Sequence, residues 1–173
     1  MRRATSVLLI TIVGAFGVAA CGGSDESPPP SKAEYKQQYA ALAKELNTVG
    51  VAVGKAITGS AGKSNKQLKT TFNDVAEQTR AVAKKFEDTT PPDDAKIEAA
   101  QAKLVAGLKV AADDLEAIST AAGKNDLRAA GTAAGKFTRD NVNVAKPKQE
   151  LDLIVLGVKP ATPKTATTTT KQK

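Results

Sequence analysis

One thiol, two phenols and no imidazole set the chemical repertoire of this 173-residue chain. Without His there is no Ser-His-Asp or Cys-His site, no His-ligated zinc and no imidazole base near neutral pH. A single cysteine, Cys21, excludes an internal disulfide and any cysteine cluster for zinc or iron-sulfur. Four residues place polar groups in otherwise apolar helical seams: Tyr39, Thr79, Gln101 and Asn141. If the helices that carry them alternate in direction, all four lie nearly level. A polar group buried without a partner costs about 1–3 kcal/mol, so four at one height should hydrogen-bond each other or something else. Two readings follow: a layer that fixes helix register, as a buried Asn does in coiled coils, or a small polar pocket for a ligand. Asp113, Asp114 and Glu116 gather three carboxylates but lack the spacing of a calcium loop, and read as a solvated helix face. No metal and no cofactor is expected, because the Ala-rich seams imply a slim core without the bulk to enclose a haem or flavin.

The elements that hold these residues are helices. Ser31 followed by Glu34, and Ser64 followed by Gln67, are capping boxes. Helix one carries Tyr35, Tyr39, Leu42, Leu46, Val49 and Val53 at alternating spacings of four and three. Helix two repeats the spacing with Leu68, Phe72, Val75, Thr79, Val82 and Phe86. Pro91-Pro92 stops it and Asp93-Asp94 opens helix three, where carboxylates favour the positive end of the helix dipole. Helix three follows Ile97, Gln101, Leu104, Leu108, Ala111, Leu115 and Ile118 to Gly123, and helix four follows Leu127, Ala130, Ala134, Phe137, Asn141 and Val144 until Pro147 ends it. The fold class expected is all-α: an antiparallel up-down-up-down four-helix bundle over 32–158, with an N-terminal lipid tether and a disordered C-terminal tail. Gly50 and Gly54 on helix one and Gly131 and Gly135 on helix four fall within one to two turns of each other in this alignment. Those helices are therefore expected either to approach closely there or to be mobile at that end.

The first twenty residues read as an address. Arg2 and Arg3 form a positive n-region, and Val7 to Ala20 is an apolar run whose helix would span about 21 Å, short of a ~30 Å hydrocarbon core. The run Val18-Ala19-Ala20-Cys21 resembles the lipobox of bacterial lipoproteins. The resemblance implies cleavage before Cys21 and a thioether-linked diacylglycerol on its sulfur; an ordinary secretory signal with an incidental thiol is the alternative. Two acyl chains hold a protein to a bilayer for practical purposes permanently. Residues 21–31 form the tether, of which the nine from Gly22 to Pro30 reach at most about 30 Å. Lipobox, Ser-Asp-Glu-Ser-Pro linker, Ser-Lys-Ala-Glu-Tyr helix start and the Pro-Pro before an acidic, Ala-rich helix together look like the small alpha-helical lipoproteins of actinobacteria. The likeness covers Cys21 to about Val144, and the group has no assigned chemistry. Its members often carry one Cys in the first helix and another near the C-terminus; this chain has neither.

Beyond helix four, Leu151 to Val158 is an apolar patch expected to dock on the bundle or to meet a partner. Lys159 to Lys173 is Lys, Thr, Pro and Ala, a composition that cannot build a core. It reads as a solvated tail, a substrate for O-glycosylation, or a basic strand drawn to anionic lipid or wall polymer. Residues 93–122 hold six acids against three lysines, and residues 124–146 hold five basic residues against two acids, so the third and fourth helices should attract. An exported address and few aromatics argue against nucleic acid. Three function classes remain. The favoured one is an envelope-anchored interaction or accessory protein facing outward from the cell membrane, with an envelope protein or anionic wall polymer as partner. The second is an extracytoplasmic ligand carrier or sensor using the polar layer or the glycine cleft. The third, an enzyme, is disfavoured by the missing imidazole and the lack of any catalytic motif.

Overall fold

The computed structural model describes residues 28–158; the expected signal peptide 1–20, Cys21 with most of the expected tether, and the expected tail 159–173 lie outside the described residues. Within them the chain is all-helical: α1 Lys32–Thr58, α2 Asn65–Glu87, α3 Ala95–Gly123, α4 Leu127–Asp140, α5 Val142–Leu151 and a π-helical turn Asp152–Leu156. No strand occurs among the described residues, and none of these helices is long and apolar enough to cross a membrane.

Local chemistry sets the helix starts. The Ser31 hydroxyl accepts the Glu34 N–H at 3.3 Å while the Glu34 carboxylate accepts the Ser31 N–H at 2.8 Å, so two otherwise unpaired donors are satisfied at once. Ser64 and Gln67 do the same for α2. Asp94 caps α3 by accepting from the N–H groups of Lys96 and Ile97. Its carboxylate also receives the Lys32 ammonium at 2.7 Å, which ties the beginning of α1 to the beginning of α3.

α3 is the hub. It makes the most extensive contact of the fold with α2 and further long contacts with α4 and α5, while α1 rests on α2 and touches the π-helical turn. Ala76, Ala83, Ala100 and Ala112 are buried along α2 and α3 and let those two axes approach closely. α1 offers Tyr35, Tyr39, Leu42 and Leu46 instead, bulky groups that hold its axis farther off.

The fourth helix departs from expectation in two ways. Pro147 does not end it: the helix is interrupted at Asn141, resumes as α5, runs through Pro147 to Leu151 and widens into the π turn, which Gly157 closes in the left-handed conformation at φ +73°. Proline is tolerated because the group it deprives, the Asn143 carbonyl four residues back, faces α3. A methyl built on Gly107 would lie 2.3 Å from that oxygen and 2.7 Å from its carbon, so only glycine admits the contact, and the freed carbonyl meets the Gly107 Cα directly. The inward face of α4 also differs. Leu127 is 74% exposed, and Ala134 and Asn141 are exposed. Phe137 and Val144 face the core as expected, and Ala133 joins them there in place of Leu127, Ala134 and Asn141. With Phe137 the only large apolar residue buried in α4, the spacing of small residues there cannot fix which face turns inward.

The glycines expected to bring helices one and four together do not. Gly50, Gly54 and Gly131 have open space where a side chain would stand, and Gly135 meets only the tip of Arg139. Gly107→Ala is expected to destabilise the fold by about 3 kcal/mol, since neither backbone can retreat without repacking. Gly50→Ala, in a helix and facing nothing, is expected to add about 1 kcal/mol. Urea denaturation of the two variants beside the parent checks both signs.

Candidate functional site

At the end of the molecule where α1 begins, polar groups are consumed by one another. Gln101 uses its whole amide: Oε1 accepts from the Tyr35 hydroxyl at 2.5 Å, and Nε2 donates to the carbonyls of Phe86 at 2.8 Å and Thr89 at 2.6 Å. One side chain on α3 thus pins the start of α1 and the end of α2. Tyr39 goes elsewhere. Its hydroxyl donates to the Asp152 carboxylate at 2.8 Å and lies 3.4 Å from the Lys148 carbonyl, while Lys148 Nζ reaches the other Asp152 oxygen at 2.6 Å. This fastens the π turn to α1.

The four polar residues singled out in the sequence therefore do not form one layer. Tyr39 and Gln101 are buried but belong to separate networks. Thr79 is buried and donates back to the Val75 carbonyl of its own helix at 2.7 Å. Asn141 is exposed at the interruption between α4 and α5. Tyr35 was missed as a polar partner because its place in the apolar stripe of α1 reads as core. Asp152 was missed because the segment that carries it has no helical periodicity to place it.

Thr79 and Asn141 do share one feature, a cleft of about 260 Å³ between α1 and the fourth helix. Leu46, Val49, Gly50, Val53, Gly54 and Ile57 form the α1 wall, Leu108, Ala111 and Leu115 the floor, and Phe137, Asn141 and Val144 the opposite wall. No charged residue lines it. The Thr79 hydroxyl is already bonded, so the unbonded polar group of the lining is the exposed Asn141 amide at the mouth, and the remaining apolar walls favour apolar guests. An engineered hollow of ~150 Å³ suffices for benzene, so this one is large enough for a short alkyl stretch or two or three partner side chains. A larger hollow of about 470 Å³ lies on the other side of the fourth helix, where Lys103, Lys146 and Glu150 make its rim charged.

The carboxylate cluster on α3 is split. Asp113 and Glu116 pair with Arg80 of α2 at the surface. Asp114 is only 4% exposed and meets Lys136 of α4 at 2.6 Å; its second oxygen has no partner. The solvated-face reading thus holds for two of the three acids and fails for Asp114, which faces the fourth helix. Among the described residues this is the ion pair through which the opposite charges of α3 and α4 meet. The hydrogen bond to Asp114, with a second to Asp140, raises the Lys136 pKa.

No family model, curated protein or solved structure matches this chain. Its functional reading rests on its own residues and geometry.

Burial pushes the Tyr35 phenol up to about 12. Burial raises Tyr39 further, helped by its hydrogen bond to Asp152 and the charge of that carboxylate. Both keep their protons in the fold when the unfolded chain loses its own near pH 10, so the folded state binds more protons and stability falls as pH rises. The stability contribution is fully present below pH 10 and is lost at up to ~1.4 kcal/mol per pH unit per tyrosine between about pH 10 and 12. Urea unfolding at pH 9, 10 and 11 should show this decline, and Tyr35→Phe should make it shallower while lowering stability at pH 7 by about 1–2 kcal/mol, the cost of leaving Gln101 Oε1 without its donor.

Proposed function

We propose that the chain is a lipid-anchored binding module of the bacterial cell envelope. Cys21 carries the anchor, the helices form an antiparallel up-down-up-down bundle just outside the membrane, and the bundle engages an envelope component through its open α1/α4 seam. The observation that carries the binding reading is that seam. Two neighbouring helices of a closed bundle would bury their facing stripes against each other. Here Leu46, Val53 and Ile57 face Phe137 and Val144 across a hollow. Gly50 and Gly54 stand on its wall with nothing within 4 Å. Each weakens α1 by about 1 kcal/mol relative to Ala and contributes only free volume. A partner of matching chemistry is an apolar helix face or strand of another envelope protein.

The location draws its support from the sequence: n-region, apolar run, small residues and the chain's sole thiol converge on Cys21. The repertoire without imidazole or a catalytic motif favours binding over catalysis. A second reading, a carrier of a small apolar ligand, is favoured by the unbonded lining of the same cleft, with the exposed Asn141 amide at its mouth to meet a polar end group.

Cys21→Ala should move the protein from the membrane fraction to the soluble extracytoplasmic fraction, and unchanged fractionation refutes acylation. The double variant Gly50→Ala, Gly54→Ala should be more stable by about 1–2 kcal/mol yet capture less partner in cross-linking of intact cells read by mass spectrometry. Equal capture with higher stability removes the seam from the account. Co-purification of a small apolar molecule with no protein partner selects the second reading.

A further inference from the structure

The π-helical turn leaves three large apolar side chains facing outward: Leu153 is 48% exposed, Ile154 37% and Val158 55%. Their neighbours Val155 and Leu156 pack inward on the cluster that contains Tyr35 and Tyr39. The Tyr39–Asp152 hydrogen bond fixes this turn beside the first third of α1, at the end into which Pro28–Pro30 lead. The chain before the described residues therefore arrives, and the chain after them departs, at one end of the molecule. Nine residues lie between Cys21 and Ser31, so the ten Cα-to-Cα steps reach at most about 35 Å. The fifteen residues that follow Val158 contain Lys159, Lys164, Lys171 and Lys173 and no acid. Most acids at this end are already engaged: Asp88 is paired with Lys84, Asp94 with Lys32 and Asp152 with Lys148, and Glu34 caps α1, which leaves Asp93 in the α2–α3 turn and the exposed Glu150 on α5. An anionic surface would attract the acid-free, lysine-bearing sequence that leaves the π turn.

From this placement, and resting on the reading of Cys21 as the anchor, we propose that Leu153, Ile154 and Val158 are a second membrane contact, dipping into the interface of the anionic bilayer to which Cys21 is fastened. Exposed apolar side chains followed in the sequence by lysines are a combination that binds such a surface, the lysines by attraction to the headgroups and the apolar groups by leaving water. The anchor supplies proximity, which turns a weak contact into an intramolecular one. The bundle would then lean on its α1/α5 edge rather than swing freely on its tether.

The chain has no Trp, so Leu153→Trp introduces a single indole at the contact, and Leu127→Trp places one at the opposite end as a control. The acylated mature protein would be reconstituted into phosphatidylglycerol/phosphatidylcholine vesicles. Its flotation would be measured together with indole emission and quenching by lipids brominated near the headgroup. The expected result is flotation of both variants, blue-shifted emission and at least twofold quenching for Leu153→Trp, and none for Leu127→Trp. Quenching should fall at least twofold in pure phosphatidylcholine; equal quenching there overturns the role given to the lysines. A floating protein whose Leu153→Trp indole stays in water overturns the proposal and leaves the anchor standing. Failure to float overturns both. A blue shift that grows with protein concentration without lipid quenching assigns the surface to a second copy of the chain and also overturns the proposal.

Discussion

The contact between the Gly107 Cα and the Asn143 carbonyl decides where the fourth helix lies. Pro147 withholds the N–H that would have occupied that carbonyl, and Gly107 removes the side chain that would have kept it away. The two backbones therefore touch, which places the fourth helix closer to α3 than side-chain packing alone would bring it. A helix drawn to one neighbour stands off from the other. The opposing neighbour is α1, and the apolar cleft is the space between them.

α1 is held mainly at its start and by α2. At its start, Gln101 joins Tyr35 to the last carbonyls of α2, Lys32 meets Asp94, and Tyr39 holds the π turn. Along its middle it is supported by α2, where Lys85 reaches Glu45 at the surface. Toward the fourth helix, its Leu46–Ile57 stretch presents apolar groups and two glycines to the hollow. Rigid fixation at one end and an unfilled seam above it suit a module that must keep its orientation while admitting a partner.

Much of this was legible from residue spacing. The stripes of α1, α2 and α3 are buried nearly as read, because Tyr, Leu, Phe, Val and Ile recur there at three and four and outweigh any alternative face. Both capping boxes formed. The fourth helix was legible only in outline: Phe137 alone could not fix its rotation, and Pro147 reads as a stop because its cost depends on what receives the orphaned carbonyl, a tertiary fact. For the same reason Gly107 looked unremarkable in the sequence while Gly50 and Gly54 drew notice; a glycine's meaning lies in what stands opposite. Tyr39, Thr79 and Gln101 lie in the buried stripes of their helices and Asn141 does not, and helix height alone does not reveal that Gln101 meets Tyr35 and backbone carbonyls while Tyr39 meets Asp152. Asp114 was hidden among surface acids, since burial depended on the rotation of α4.

The α1/α4 seam is thus an accessible apolar hollow maintained by the Gly107 contact. Diffraction from crystals of the protein under xenon pressure tests it most directly, because xenon orders in unfilled apolar hollows and not where side chains have closed the space. The result expected is xenon density between Gly50 and Gly54 on one side and Leu108 and Phe137 on the other. A seam in which α1 lies against the fourth helix with no xenon between them would contradict the account.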